Sequence, residues 1–253
     1  MINEMFFCAS HSPQHLSFMN RFSDLTNNDV RFGCAVAAEY MKHAPLEPLS
    51  STDPPSSYLT EAMAILEEVC QRLSGVIDAH LMLAKCRYLS GDFHGCESIL
   101  TKLQIMDPNH WPTRLLHTQL ALQCHNYHES QASLDAVIGL NFQIQGTLLY
   151  HSIKARLLEH TGKIDESVRL LESTIDKIRV FLEEKEHPTQ SSARKKSFLF
   201  SSYDSDRIAL CIQVVIQLAA SFRATNKVDK AKHVSLCTVF CLKISMNPTQ
   251  ISH

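Results

Sequence analysis

Fourteen histidines and nine cysteines supply many nitrogen and sulfur donors, so metal binding is the first chemistry to weigh. His233, Cys237 and Cys241 are spaced four apart, which puts all three on one face of a helix. A closed structural site needs four ligands, and no fourth accompanies them. The cysteines also contain no CxxC pair, and most sit at apolar helical positions where a free thiol packs as a small hydrophobe. Packing is therefore the simpler reading, and neither a metal nor a cofactor is expected. His80, His117 and His151 fall inside segments with helical periodicity and read as hydrogen-bonded structural histidines.

Nucleophilic and acid–base chemistry finds no better footing. There is no GxSxG, no HExxH, no glycine-rich phosphate loop and no strand pattern to mount one. Glu67-Glu68 and Glu183-Glu184 are adjacent in sequence, so on a helix their carboxylates diverge into solvent. Arg194-Lys195-Lys196, flanked by serines, has the composition of a solvated loop, with a nuclear signal or a phosphorylation context as the sharper alternatives. The formal charge is -2 and the pI about 6.7, without the basic footprint of a nucleic-acid binder. No run approaches the ~18 apolar residues of a membrane span. Met1 to Cys8 lacks the basic and apolar regions of a secretory leader, and the odd number of cysteines fits a reducing compartment. The expectation is a cytoplasmic, non-catalytic protein.

The elements that position these residues follow a repeat. With seven glycines and nine prolines in 253 residues, turns are too few for an all-β chain. From Ile77 the sequence places Leu83-Ala84, Tyr88, Gly91-Asp92-Phe93, Cys96, Leu100, Leu103 and Asp107-Pro108 where a 34-residue tetratricopeptide unit needs them. Small residues let two helices cross, Gly91 takes the positive φ that ends the first helix, and Pro108 cannot extend the second. One period later come Trp111, Asn126-Tyr127, Leu134 and Val137, with Trp111 expected at the seam between repeats. One period earlier lie Leu59, Ala62, Leu66 and Val69. After three extra residues a further unit opens near Leu148, with Ala155, Gly162-Lys163-Ile164, Ser167 and Leu171. Another opens near Ile212, with Leu218-Ala219, Phe222, Asn226-Lys227-Val228 and Ala231.

The predicted fold is an all-α tetratricopeptide-repeat solenoid of antiparallel helix pairs. Helices are expected over 59–74, 77–90, 93–106, 111–124, 127–140, 147–161, 164–184, 205–225 and 228–244. Residues 1–43 form an irregular segment with a helix at 29–43, and 44–58 is a Pro/Ser-rich linker that cannot be helical. Repeats fill 59–183, a polar insertion occupies 184–204, with Phe198-Leu199-Phe200 able to dock back, a further repeat spans 205–244, and 245–253 is a tail.

Stacked first helices line a concave groove suited to a partner helix or an extended peptide. The residues expected to face it are Asp78, Leu81, Lys85, Tyr88, Leu115, Gln119, Leu122, Ser152, Arg156, Glu159 and Arg223. Cochaperone repeats clamp a terminal carboxylate with lysine and asparagine. Only Lys85 and Arg156 are basic among the three consecutive units, so the mixed apolar surface suits a helix or another subunit better.

Three stretches carry a more specific signal: AHLMLAKCRYLSGDF (79–93), SLDAVIGLNFQI (133–144) and LLYHSIKARLLEHTGKIDESVRLLESTI (148–175), the last of which departs from the generic consensus over Leu149 to Ala155. With the Ser/Lys-rich spacer that precedes the helix opening at Asp204 to Arg207, they resemble the tetratricopeptide repeat protein 21 family, the large solenoid subunit of intraflagellar transport complex A. The resemblance covers roughly Leu59 to Val234. Family members carry many more repeats, so this chain corresponds to an internal segment or a short form. The resemblance implies a scaffold in retrograde ciliary transport, with the other complex A subunits as partners, located in the cytoplasm, the cilium and the ciliary base. It implies no catalytic residues, no nucleic acid and no membrane insertion. A generic repeat adaptor or cochaperone is the alternative.

Overall fold

A computed structural model describes residues 30–45, 47–50, 53–186 and 207–225. Those residues contain nine α-helices and one 3-10 helix. They fall into two compact units that divide at Met106 and Asp107, where the repeat opening at Ile77 closes with Asp107-Pro108 before Trp111 opens the next.

The first unit holds α1 (Val30–Met41), α2 (Ser57–Arg72), α3 (Ile77–Leu89) and α4 (Phe93–Met106). In sequence order each helix packs on the next. On α2 the buried positions are Leu59, Ala62, Leu66 and Val69, spaced by three and four so that one stripe faces inward. Opposite them, Ala79 and Ala84 of α3 are fully buried, and the absent side-chain bulk lets the helices cross closely. Cys96, Ile99, Leu100 and Leu103 seal the far side from α4. On α1, Gly33 has the same role: a Cβ there would stand 2.8 Å from Val69 Cγ2.

The described part of the linker is non-helical only as far as Ser56, since Ser57 and Tyr58 already belong to α2, and it is tied down. Leu49 N–H donates to the Leu89 carbonyl at 2.9 Å, satisfying one of the acceptors that a helix end leaves open. Arg87 joins α2 to the α3–α4 turn, with Nη2 2.9 Å from Glu67 and Nη1 2.9 Å from Asp92. Asp92 also accepts from the Gly95 N–H at 2.9 Å, which starts α4.

The second unit holds α5 (Trp111–Gln123), α6 (Tyr127–Leu140), a 3-10 turn (Phe142–Gly146), α7 (Leu148–His160), α8 (Ile164–Glu186) and α9 (Arg207–Ala224). Helices α5 and α6 pair, α7 and α8 pair, and α9 packs on both α7 and α8. The three extra residues of the sequence become the 3-10 turn, whose Ile144 is buried among Leu134, Val137 and Ile153. Pro112 in the first turn of α5 needs no N–H donor there. Asn126 caps α6 by accepting from the Glu129 N–H, and Thr147 caps α7 by accepting from the Tyr150 N–H.

Among the described residues, observed and expected α-helices differ only at their ends. The first repeat helix runs 57–72 rather than 59–74, and Leu73 lies outside it, half exposed. The expected helix at 228–244, the tail, residues 1–28 and most of the insertion lie outside the described residues. Trp111 is half-buried against the α5–α6 core.

Helices α3, α5 and α7 end in the same way. In each, the residue two past the last helical position bonds back to the second carbonyl from the end, and the next residue bonds to the third: Gly91→Tyr88 and Asp92→Arg87, His125→Leu122 and Asn126→Ala121, Gly162→Glu159 and Lys163→Leu158. This is the Schellman arrangement, which requires a left-handed residue. Gly91 (φ 82) and Gly162 (φ 79) provide it without strain, whereas the middle repeat uses His125 (φ 62).

Candidate partner-binding surface

The two units give the eleven expected groove residues different environments. In the first unit α3 presents Asp78 and Lys85 to solvent with Leu81 half-buried between them. Tyr88, one turn on, is only 7% exposed and its ring lies 6.1 Å from that of Phe93. Tyr88 is therefore core rather than groove, because α4 folds back over the end of α3.

In the second unit, Leu115 and Leu122 also point inward. They share one apolar cluster with Leu134 and Val137 of α6 and with Ile153 and Leu157 of α7. Their expected groove role is corrected by that packing: the face of α5 that carries them meets the helices on both sides. Gln119 stays half-exposed.

Ser152 is likewise covered. Its hydroxyl donates to Gln217 Oε1 at 3.0 Å, and Gln217 Nε2 donates back to the Ser152 carbonyl at 3.4 Å. Seven residues further along α7, Glu159 is half-buried and accepts from Ser167 Oγ of α8 at 3.0 Å and Ser221 Oγ of α9 at 2.6 Å. Residues 152 and 159 thus form a polar seam against α9, since side chains seven apart share a helix face. The open part of the expected set in this unit is Gln119, Arg156, part of Glu159, and Arg223, whose Nε donates to the Ala219 carbonyl at 3.4 Å.

Sequence reasoning did not find the partners in this seam. Serine, threonine and glutamine occur often on exposed helix faces, so only their three-dimensional neighbours mark Gln217 and Ser221 as buried, whereas the repeat phase places Ser167 at a slot of its unit. A second internal brace is His151, 4% exposed, with Nδ1 2.6 Å from Thr174 Oγ1 and Nε2 2.9 Å from the Gln145 carbonyl. The carbonyl can only accept, so Nε2 carries a proton. Burial, and secondarily the Lys177 ammonium, push the imidazole below its usual range despite the Gln145 hydrogen bond. The ring is therefore neutral at neutral pH, and the single proton of the Thr174 hydroxyl, which also lies 2.7 Å from the Leu170 carbonyl, is shared between that carbonyl and His151 Nδ1.

The other interior histidines have partners as well: His80 Nδ1 lies 3.0 Å from the Val76 carbonyl, and His117 Nδ1 lies 3.0 Å from Ser133 Oγ. Burial pushes the Cys86 thiol up to about 12 and the Cys70 thiol up to about 11, so neither supplies a thiolate near neutral pH. Among the described residues no group of three or more His, Cys, Asp or Glu side chains converges as metal ligands. The His233, Cys237 and Cys241 trio lies outside them. No described helix is long and apolar enough to cross a membrane.

Comparison with known proteins gives this architecture its relatives. A family model described as the tetratricopeptide repeat protein 21 second ARM domain matches residues 23–125, and one described as the tetratricopeptide repeat protein 21 ARM repeat matches residues 142–237. Tetratricopeptide repeat protein 21B of Xenopus laevis is 26% identical over 179 residues, covering 71% of this chain and 13% of its own length. Tetratricopeptide repeat protein 21A of Homo sapiens is 28% identical over 211 residues, covering 83% of this chain and 15% of its own. That of Mus musculus is 29% identical over 147 residues, 58% of this chain and 11% of the relative. The chain thus spans between about a tenth and a sixth of the length of these relatives. The crystal structure of MamA protein aligns over 87% of this chain and 95% of its own, with a TM-score of 0.46 and 10% identity, and adds nothing to the helix pairs seen directly. The two family models follow one another along the chain and together take in most of it, so it belongs to the tetratricopeptide repeat protein 21 family.

Proposed function

We propose that this chain is a non-catalytic, protein-binding part of intraflagellar transport complex A, acting in retrograde transport along the cilium. The observation that carries the reading is the succession of two tetratricopeptide repeat protein 21 family models along one chain of paired helices. The family is of the helical-repeat scaffold type, and such scaffolds work through the surfaces their helices present.

Within each unit the partner-facing residues are those left open by packing. These are Asp78, Leu81 and Lys85 in the first, and Gln119, Arg156, Glu159 and Arg223 in the second. A surface of mixed charge with one half-buried leucine suits a neighbouring subunit better than a free carboxylate, which needs a cluster of cations. The proposed location is the cytoplasm, at the ciliary base and along the ciliary cytoskeleton. Neither nucleic acid nor membrane insertion has a part in it.

Tagged full-length chain expressed in ciliated cells is expected to co-purify with complex A subunits, and Lys85→Glu with Arg156→Glu is expected to weaken that recovery. Recovery of no complex A subunit would overturn the proposal. Selective retention of peptides ending in a free carboxylate would instead favour a general adaptor or cochaperone.

A further inference from the structure

The left-handed residue at the end of α5 has a geometric consequence of its own. A non-glycine residue at φ 62 carries roughly 1–2 kcal/mol of strain. The equivalent positions in the flanking repeats avoid it with Gly91 and Gly162. The strained position places the His125 ring in a small cluster. His125 Nδ1 lies 2.8 Å from the Tyr127 hydroxyl, and the two rings meet edge to face at 6.0 Å. Tyr127 stacks on His160 at 4.1 Å with an interplanar angle of 23°. The two imidazoles are 6.4 Å apart at 74° to one another.

Both histidines are exposed and Tyr127 is half-buried, so the cluster lies open on one end of the second unit. Among the described residues, no hydrogen-bond partner meets His125 Nε2 or either nitrogen of His160. When His125 Nδ1 carries the proton and donates to the phenol oxygen, the Nε2 lone pair is free. This is the arrangement in which an outer hydrogen bond sets the tautomer of a metal-ligating histidine.

We propose that His125 and His160 together bind a divalent transition-metal ion of the zinc type, with Tyr127 as the positioning residue. Imidazole nitrogen is a preferred donor for such ions, at about 2.0–2.1 Å. Two imidazoles sharing one tetrahedral ion have ring centres roughly 5 Å apart, so closing the observed gap takes a movement of about 1 Å by exposed rings. The remaining coordination positions are filled by water. The bound ion ties the ends of two successive first helices, α5 and α7, across the turn region of their repeats.

The test is calorimetric titration of the full chain with zinc chloride under reducing conditions, on the wild type and two variants. His125→Gly removes one ligand while keeping the left-handed turn that glycine adopts in the neighbouring repeats, so the variant retains its fold. His160→Gln removes the other. One wild-type binding event that weakens at least tenfold in both variants, with helical circular dichroism retained, is the expected result. Tyr127→Phe keeps the stack but loses the hydroxyl, and is expected to weaken the same event about tenfold. Unchanged zinc binding in either histidine variant overturns the site, because the ion would then be held by other histidines or cysteines. A match of calcium or magnesium to zinc in affinity overturns it too, since those ions select oxygen donors.

Discussion

The two units bury different kinds of side chain. Among the described residues, every buried serine, threonine, histidine or glutamine lies beyond Met106: Thr113, Thr118, Ser130, Thr147, His151, Ser152, Ser167, Thr174, Gln217 and Ser221. The first unit instead closes on leucine, isoleucine, valine, alanine, cysteine and one tyrosine. Apolar contacts are non-directional and tolerate small shifts of one helix along another. Buried hydrogen bonds are directional and leave costly orphans when a helix slips. The α7–α8–α9 region is thus held in one alignment by pairs such as Ser152–Gln217 and Ser221–Glu159, whereas α1–α4 relies on close helix approach at Gly33, Ala79 and Ala84. A repeat can therefore be stabilised by either route without changing its helix pattern.

Core truncation should break both units and so calibrate the comparison. Leu100→Ala in the first and Leu134→Ala in the second each remove a side chain that is 0–1% exposed, and each is expected to cost about 2–5 kcal/mol in denaturant unfolding. Equal losses would show that the apolar part of each core carries similar weight.

Substitutions in the seam sharpen the difference. Gln217→Ala strands the Ser152 hydroxyl and is expected to cost about 1–3 kcal/mol, whereas the pair Gln217→Leu with Ser152→Ala is expected to recover most of it. A double-mutant cycle measures the coupling. A loss from Gln217→Ala that the apolar pair fails to recover would remove the seam as the source of alignment.

Helical glycines separate the units in size of effect. Gly95→Ala in α4 brings a Cβ against the ends of the Asp92 and Arg87 side chains, which can swing away only by loosening their ion pair and the Asp92 bond to the Gly95 N–H, so its gain in helix propensity is expected to be largely offset. Gly139→Ala in α6 meets nothing within 4 Å and is expected to stabilise by up to ~1 kcal/mol through helix propensity. Thermal melts of both variants check the contrast.

Acid should act on the second unit through His151. Its folded pKa lies below the unfolded value, so below neutrality the unfolded chain binds a proton that the folded chain does not. This contribution is present above the unfolded pKa near 6.5 and is lost as pH falls toward the folded value. The unfolding midpoint should drop between pH 7.5 and 5.5, and His151→Gln should flatten that dependence. A dependence of the same steepness in the variant would assign the effect to other groups.

Much of the fold was legible because helical periodicity and turn chemistry are local. The stripe Leu59, Ala62, Leu66, Val69 and the turns at Gly91 and Gly162 follow from spacing and from which residue tolerates a left-handed backbone. The period also placed the third turn, at Asn126-Tyr127, but its left-handed residue was not legible, because His125 carries no glycine-like signal. The candidate face was legible in part. Leu81 and Leu115 occupy equivalent repeat positions, yet one is half-exposed and the other buried, since what covers each depends on neighbouring helices.

The amino-acid sequence alone determined that helices form, where most of them start and stop, and that they come in antiparallel pairs, because hydrogen-bonded turns and apolar stripes are written within a few residues of one another. Only the tertiary structure decided which flank of each first helix is covered, that Ser152 and Glu159 meet α9, and that His125 approaches His160. Those contacts join residues 35 to 65 positions apart, and their geometry depends on helix crossing angles that no local pattern encodes.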